Sequence, residues 1–418
     1  MDFEKEKNRV FDIIAKQNKW RGGECLNMIA SENVMSPVAT KAYVSDFMHR
    51  YAEGLPHQRY YQGTKFTDDI EDMCNDLAKK LFGADFADNR VISGGVANVC
   101  VFSALAKPGE LLMGPGTPAG SHISHEKFGA AGVVALNVEH YEFDFERYDI
   151  DVEKTVAKIR SLKPKIVTLG GSVIQFPHPV REIRAAADEI GATVVYDGAH
   201  VLGLIAGGEF QQPLKEGAHV MTASTHKTFP GPQGGIVLGK GLDEKRQRKI
   251  QNRIFPGIVS NHHVHRLPAM AITLLEMMEF GKDYAKQTVK NSKALAGELD
   301  RLGMKVLMKE RGFTVSHQFI ADVRNFGGGT KVADALEECN MIINKNLLAF
   351  DDVNNAANPS GIRVGTQELT RFGMKEKEMK QVADLMVRAI GGENKEKVKK
   401  EVVELRGRFK EVQYCFKG

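Results

Sequence analysis

Over 67–81 the apolar residues Ile70, Met73, Leu77 and Leu81 recur at intervals of three and four. That spacing predicts an amphipathic helix, opened by an Asp68-x-x-Glu71 capping pair and closed by Gly83. Further on, short apolar runs at 165–169, 193–196, 220–223 and 235–238 predict strands, and 179–190 between the first two predicts a helix. Alternation of this kind writes a mostly parallel sheet covered by helices. Ligands in such sheets bind beyond the carboxyl ends of the strands. The residues standing there are Gly170-Gly171-Ser172, Asp197-Gly-Ala-His200 and Ser224-Thr-His-Lys227.

Past Pro256 the pattern changes. A long helix is expected over 267–302, followed by shorter strands and helices to about Ile390. From 393 to 410 Lys and Glu dominate, yet Val398, Val402, Leu405 and Phe409 keep a helical spacing, so the charges read as the solvated face of a helix. Val10, Ile13 and Ile14 share one face of a helix near the N-terminus. The run Gly327-Gly328-Gly329 before Thr330-Lys331 has the wrong order for a phosphate-binding P-loop and reads as a loop between strands.

Length and charge narrow the classes. The chain has 418 residues, ample for two or three domains, and 57 basic against 53 acidic side chains leave a net +4. So small a charge argues for small or modestly anionic ligands and against nucleic acid. Five scattered cysteines fit neither a disulfide framework nor a zinc site, so no metal is expected. No apolar run approaches the ~18 residues of a bilayer span, and residues 1–20 lack the apolar stretch of a secretory signal. The chain reads as cytoplasmic, without a membrane partner.

Three short segments carry candidate chemistry. Lys227 follows an apolar strand into the loop Phe229-Pro-Gly-Pro-Gln-Gly-Gly235. Burial disfavours a charged lysine, and a lysine so placed suits a Schiff base to a carbonyl cofactor, although many such lysines only extend to water. Asp197, at another strand end, needs a cationic partner or several donors; a protonated pyridine nitrogen is one such partner, a helix cap the plainer alternative. Ser93-Gly94-Gly95 precedes a helical run at 99–105, where bare N–H groups favour an anion such as phosphate, or simply form a turn. His122 and His200 are individually ambiguous.

Together these residues stand in the order and spacing of a pyridoxal-phosphate enzyme, and the chain resembles the serine hydroxymethyltransferase family over nearly its whole length. The resemblance rests on Met28-Ile-Ala-Ser-Glu-Asn33, Arg50-Tyr-Ala-Glu-Gly54, Arg59-Tyr-Tyr61, Ser93-Gly94 with Ala97-Asn98, His122, Asp197 with Ala199-His200, Thr225-His-Lys-Thr228, Phe255-Pro-Gly257, Asn344-Lys-Asn346 and Ser360-Gly-Ile-Arg-Val-Gly-Thr366. Phe229-Pro-Gly-Pro-Gln233, Val259-Ser-Asn-His-His263 and Asp351-Asp-Val-Asn-Asn355 look most like the archaeal, methanogen-type branch.

The resemblance implies the aspartate aminotransferase-like fold type I: an N-terminal arm and helices over 1–55, a large cofactor-binding domain with a mostly parallel seven-stranded sheet over 56–266, and a connecting helix with a smaller C-terminal α+β domain over 267–418. Pyridoxal 5'-phosphate is the implied cofactor, joined to Lys227, paired at its ring nitrogen with Asp197, stacked on by His122 and flanked by His200, Thr225 and His226. Ser93, Gly94 and Gly95 would hold its phosphate, with Gly257 from a neighbouring subunit. Arg363, helped by Ser31, would take the amino-acid carboxylate. Tyr51, Glu53 and Tyr61 match residues supplied across a homodimer with shared active sites, Glu53 as the group for proton transfer. Tyr60 and Asn346 match positions near the pterin. The implied reaction converts serine and a reduced pterin, tetrahydromethanopterin or tetrahydrofolate, reversibly into glycine and the methylene-pterin. A threonine aldolase or transaldolase of the same fold is the alternative.

The chain departs from that pattern at Gln233, where bacterial and eukaryotic members usually carry arginine, at Val173, usually serine, and over 258–265, usually rich in Gly and Gln. The charge missing at Gln233 weakens the expected phosphate site unless His262 or His263 replaces it, and the three departures together read rather as a different one-carbon carrier, tetrahydromethanopterin in place of tetrahydrofolate.

Overall fold

The computed structural model describes residues 1–352 and 357–418, so Val353, Asn354 and Asn355 of the Asp351–Asn355 motif lie outside the described residues. The chain divides into two compact units, one of 33–286 with 414–418, the other of 1–32 with 287–413. Residues of the expected arm, 1–55, therefore fall in both.

The unit of 33–286 is built on seven strands in the order Phe86–Asp88, Gly235–Gly239, Val220–Ser224, Thr193–Asp197, Ile166–Gly170, Leu111–Gly114, Asn137–His140. Gly235–Gly239 alone runs opposite to the other six. The four strands legible in the sequence are buried along their whole length, which is why they read as unbroken apolar runs. The three that were not are short, and Asn137–His140 at the sheet edge is polar and mostly exposed. Ala97, Cys100, Val101 and Phe102 of the helix Gly94–Leu105 pack with Ile166, Val195, Val220 and Val237 of the sheet. Burying such aliphatic and aromatic side chains contributes ~1.5–3 kcal/mol each. The helix Val180–Ile190 lays Val180, Ile183, Ala186 and Ala187 inward and stops at Gly191, whose φ of 70° suits a residue without Cβ.

One expectation fails in this unit. The helix Lys65–Phe82 begins before the expected capping pair, with Thr64 at its N-cap and no side-chain cap bond. Asp68 and Glu71 lie within it, buried, and accept from the Arg59 guanidinium at 2.7 and 2.9 Å. A buried cation needs those carboxylates more than the first-turn N–H groups, which water can serve.

The unit of 1–32 and 287–413 holds a four-stranded antiparallel sheet in the order Lys305–Val306, Gln318–Asp322, Gly361–Gly365, Asn344–Asn346. Leu26–Asn27 adds a short parallel pairing with Met341–Ile342, which ties the N-terminal segment in. Phe319, Ile362, Val364, Leu336, Met379, Val382, Val398 and Val402 share its core. The tail forms the helix Lys395–Gly407, burying Val398, Val402 and Leu405, and Phe409 still packs on the core beyond its end. The glycine run does not join two strands: Gly327 and Gly328 have φ of 95° and 92°, and Gly329 opens the helix Gly329–Glu338. The helix Phe3–Gln17 buries nothing, leaving Val10, Phe11, Ile13 and Ile14 on its surface. The expected long helix is Arg266–Arg301, which carries the chain from one unit into the other.

Candidate active site

Asp197 ends the strand Thr193–Asp197, fully enclosed in the unit of 33–286. Its Oδ2 accepts from Asn98 Nδ2 at 2.8 Å and its Oδ1 from the Ala199 main-chain N–H at 3.0 Å. Nε2 of buried His125 stands 3.3 Å from Oδ2, while Nδ1 of the same ring meets Ser121 Oγ at 3.0 Å. Burial alone would raise the pKa of Asp197. The close approach of His125, the field of His122 and the Asn98 amide outweigh it and hold the carboxyl well below its usual range. Asn98 is itself oriented by Thr222 Oγ1, which donates to its Oδ1 at 2.6 Å from the next strand. This point is a fixed, buried negative charge.

Lys227 lies in the turn that follows the strand Val220–Ser224, immediately beside that carboxylate strand in the sheet. Its main-chain carbonyl accepts from Asn33 Nδ2 at 2.7 Å, and Tyr284 donates to Thr228 O at 2.9 Å. Thr225 uses its hydroxyl on Pro232 O at 2.6 Å and closes the loop. Burial, then Lys227 and Arg266, push His226 down to about 4, so its ring is neutral at physiological pH. Thr228 donates to His200 O at 2.7 Å, joining the lysine turn to the segment after Asp197.

Ser93 is the N-cap of Gly94–Leu105, its hydroxyl accepting from Val96 N at 3.1 Å. A Cβ at Gly94 would stand 2.5 Å from Ser224 Oγ, so only glycine lets this turn lie against the end of the Val220–Ser224 strand. His122 approaches because Gly171, at φ 139°, has no Cβ: one there would fall 3.2 Å from His122 N and 2.8 Å from Gly120 O. Val173 packs its carbonyl against Gly120, two residues from that histidine.

A second cluster gathers the aromatic and acidic candidates. Tyr51, Tyr60 and Tyr61 are 57, 72 and 45 % exposed, with the rings of Tyr51 and Tyr61 5.7 Å apart and Tyr60 5.6 Å from Phe255. Ser260 donates to the Glu53 carboxylate, and Asn261 accepts from Ala52 N at 2.9 Å. Gly257 lies exposed in the same stretch. Arg59 donates to Ala52 O and Gly54 O at 2.8 and 2.9 Å as well as to Asp68 and Glu71, so one buried guanidinium braces the whole segment. His262 is spent here: it is 3 % exposed with Nε2 3.0 Å from Glu71, and so does not replace the charge missing at Gln233.

In the unit of 1–32 and 287–413, Arg363 sits in the strand Gly361–Gly365 opposite Asn344, whose Oδ1 accepts from its Nε at 3.2 Å. Burial lowers its pKa to about 10, leaving it charged at neutral pH. The turn carrying Ser31 is held by Gln367 Nε2, which donates to Ile29 O at 2.8 Å and Glu32 O at 2.7 Å, and by His317 Nε2, 3.2 Å from Ala30 O. Gly365 N donates to Met28 O at 2.8 Å. Asn346 ends the neighbouring strand, with its amide on Leu347 O.

His125, Gln367 and His317 stand in none of the segments singled out in the sequence. His125 alone left a signal, its spacing of three from His122. The others act on main-chain carbonyls, which no side-chain motif records.

These residues fit pyridoxal phosphate: an ionised, buried carboxylate for a ring nitrogen, a lysine turn on the adjacent strand, and a glycine turn at a helix N-terminus for the phosphate. Comparison with known proteins agrees. The serine hydroxymethyltransferase family model matches residues 3–386. Serine hydroxymethyltransferase of Saccharolobus islandicus is 51 % identical over 419 residues, covering 100 % of this chain and 96 % of that protein. The Pyrococcus horikoshii protein of that name is 51 % identical over 420 residues, covering 100 % and 98 %, and that of Methanocella arvoryzae 53 % over 394 residues, covering 94 % and 92 %. With that likeness running through both units, and the α/β fold type I beneath it, the chain belongs to the serine hydroxymethyltransferase family.

Proposed function

We propose that this enzyme interconverts serine and glycine and passes the one-carbon unit to and from a reduced pterin, tetrahydromethanopterin or tetrahydrofolate. The observation that carries the reading is the buried, ionised Asp197 on the strand adjoining the one that leads to Lys227. When bound, pyridoxal phosphate accepts the electron pair left on Cα as the Cα–Cβ bond of serine breaks. Asp197 keeps the proton on the ring nitrogen, and Asn98, His125 and Ala199 keep Asp197 aimed. Lys227 supplies the amine that is exchanged for the amino group of the substrate. Ser93, Gly94 and Gly95 would hold the phosphate through main-chain N–H groups, with His122, His200, Thr225 and His226 as the side chains around the cofactor. Arg363 would bind the substrate carboxylate through its two-pronged guanidinium, with Ser31 beside it, and so orient the bonds at Cα. Glu53 moves the proton of the substrate hydroxyl.

The exposed Tyr51, Tyr60, Tyr61 and Gly257, and the bare apolar face of Phe3–Gln17, support a homodimer in which Tyr51, Glu53, Tyr61 and Gly257 serve the partner's site. Asn346 and Tyr60 then lie on the pterin side. Five cysteines, all free and buried, fit the cytoplasm, and among the described residues no helix is long and apolar enough to cross a membrane. The test is a glycine–serine exchange assay with each pterin added separately. Activity with one carrier confirms the reading and names the carrier; serine cleavage indifferent to both would favour the aldolase alternative. Borohydride reduction of the holoenzyme should fix the cofactor to Lys227, and a label on another lysine would refute the assignment.

A further inference from the structure

Arg266 opens the helix Arg266–Arg301 and is 2 % exposed. Its Nη1 donates to Val91 O at 2.9 Å, and its Nη2 to Asn89 O and Gly235 O, both at 2.8 Å. Nε is buried with no partner, and the guanidinium forms no ion pair among the described residues. Burial lowers its pKa only to about 10, so the charge persists at neutral pH. Burial of this charge outweighs the supporting fields of Cys74, Tyr43, Asp88 and Glu71, and a buried cation without an ion-paired partner is costly unless a further anion completes it.

Its surroundings say where that anion would lie. Gly235, whose carbonyl it holds, is pressed against the Ser93–Gly94 turn: a Cβ at Gly235 would stand 2.4 Å from Ser93 O and 3.1 Å from Gly94 N. Val91, the second carbonyl it holds, also accepts from Gly235 N at 3.0 Å and lies two residues before Ser93. A Cβ at Gly234 would fall 2.5 Å from Nε, so the glycine there admits the guanidinium to this place. One glycine backbone thus separates the charge from the N–H groups of the turn.

We propose that Arg266 is an electrostatic positioning residue: its unpaired charge, fixed behind the Ser93–Gly95 turn by three carbonyls, supplies the positive potential that draws the cofactor phosphate onto those N–H groups. The proposal rests on the reading of 93–95 as the phosphate cradle. A clamp that merely ties 89–91 to 235 would need the hydrogen bonds and not the charge.

The experiment separates charge from clamp. Full-length protein, stripped of cofactor, is titrated with pyridoxal phosphate, pyridoxal and inorganic phosphate, for Arg266→Gln, Arg266→Lys and Arg266→Gln combined with Gln233→Arg. Arg266→Gln should weaken pyridoxal phosphate and inorganic phosphate about tenfold, as expected for one charge at this remove in a partly shielded medium, and change pyridoxal less than twofold. Arg266→Lys should keep the preference for the phosphorylated ligand while melting earlier, and Gln233→Arg, at an exposed position two residues before the Gly235 that lies against the turn, should restore much of what Arg266→Gln loses. Equal losses for pyridoxal and pyridoxal phosphate, or a preference lost in Arg266→Lys as fully as in Arg266→Gln, would overturn the proposal. Should Arg266→Gln not fold, the lysine variant alone decides. Failure of the unaltered protein to prefer pyridoxal phosphate over pyridoxal would instead refute the cradle itself.

Discussion

Replacing Arg59 by Met keeps the volume of the side chain and removes the one cation shared by Asp68 and Glu71. Arg59, Asp68 and Glu71 side chains are 2, 9 and 2 % exposed, and the guanidinium also caps the carbonyls of Ala52 and Gly54. Breaking a buried ion pair from one side costs ~3–5 kcal/mol, because the remaining charge stays buried without its partner. His262, 3.0 Å from Glu71, can hold one carboxylate but not both, so the lower end of that range is expected. Thermal and urea unfolding of Arg59→Met beside the unaltered chain measure the loss. Glu71 is held below its ordinary 4.5 by His262 and then Arg59, against the opposing effect of burial. Its folded pKa being depressed, its contribution is present above about pH 4.5 and is lost as the pH falls through the folded value. The gap between variant and parent should therefore narrow in acid. Limited proteolysis should open the 50–61 segment first. A melting temperature unchanged at neutral pH, or cleavage confined to other segments, would refute the view that this guanidinium braces the segment.

Asp197→Asn removes the charge at constant shape and leaves one of two donors, Asn98 Nδ2 or the Ala199 N–H, facing an amide NH2; serine cleavage should fall a hundredfold or more, about what one buried charge pair is worth, with the far-ultraviolet spectrum unchanged. Gln367→Ala leaves the carbonyls of Ile29 and Glu32 without their donor, a cost of ~1–3 kcal/mol in the turn that carries Ser31; the KM for serine should rise several-fold with a smaller change in kcat. Glu368 is pushed up to about 7 by burial, against a hydrogen bond from Asn27. Its folded pKa being raised, stability falls as pH climbs from 4.5 towards 7. Glu368→Gln should therefore melt higher than the parent above pH 7, by up to ~3 kcal/mol in stability, and match it near pH 4.5.

The parts of the fold that could be read from the sequence were those whose environment is uniform. Strands such as Thr193–Asp197 are buried on both faces and written in apolar residues throughout, whereas Asn137–His140 carries edge polarity that matches no strand pattern. Asp68-x-x-Glu71 has the letters of a cap but serves Arg59, because a charged partner distant in structure outranks a local rule that the sequence alone displays. In the candidate site, Lys227, Asp197 and Ser93–Gly95 were visible since each follows a strand or opens a helix. Arg266, Gln367 and His317 were not, since their partners are carbonyls brought near only by folding.

Those hidden residues share one physical role. Ser31, Glu53, His200 and Lys227 sit outside helices and strands, and a turn free to move would spread its side chain over many positions, at a cost of ~1–2 kcal/mol for each backbone residue that binding must then fix. The chain has already paid that cost during folding by anchoring turn carbonyls to buried donors: Asn33 on Lys227 O, Thr228 on His200 O, Arg59 on Ala52 O and Gly54 O, Gln367 on Ile29 O and Glu32 O. Whether they fall inside a family segment, as Asn33, Arg59 and Thr228 do, or outside one, as Gln367 does, such donors fix the angle at which a carboxylate or amine faces its ligand. Loss of one of them should lower turnover or affinity without changing the pH at which the reacting groups titrate, whereas loss of Asp197 or Glu53 should change the pH profile itself. That split tells an anchoring residue from a reacting one in this chain.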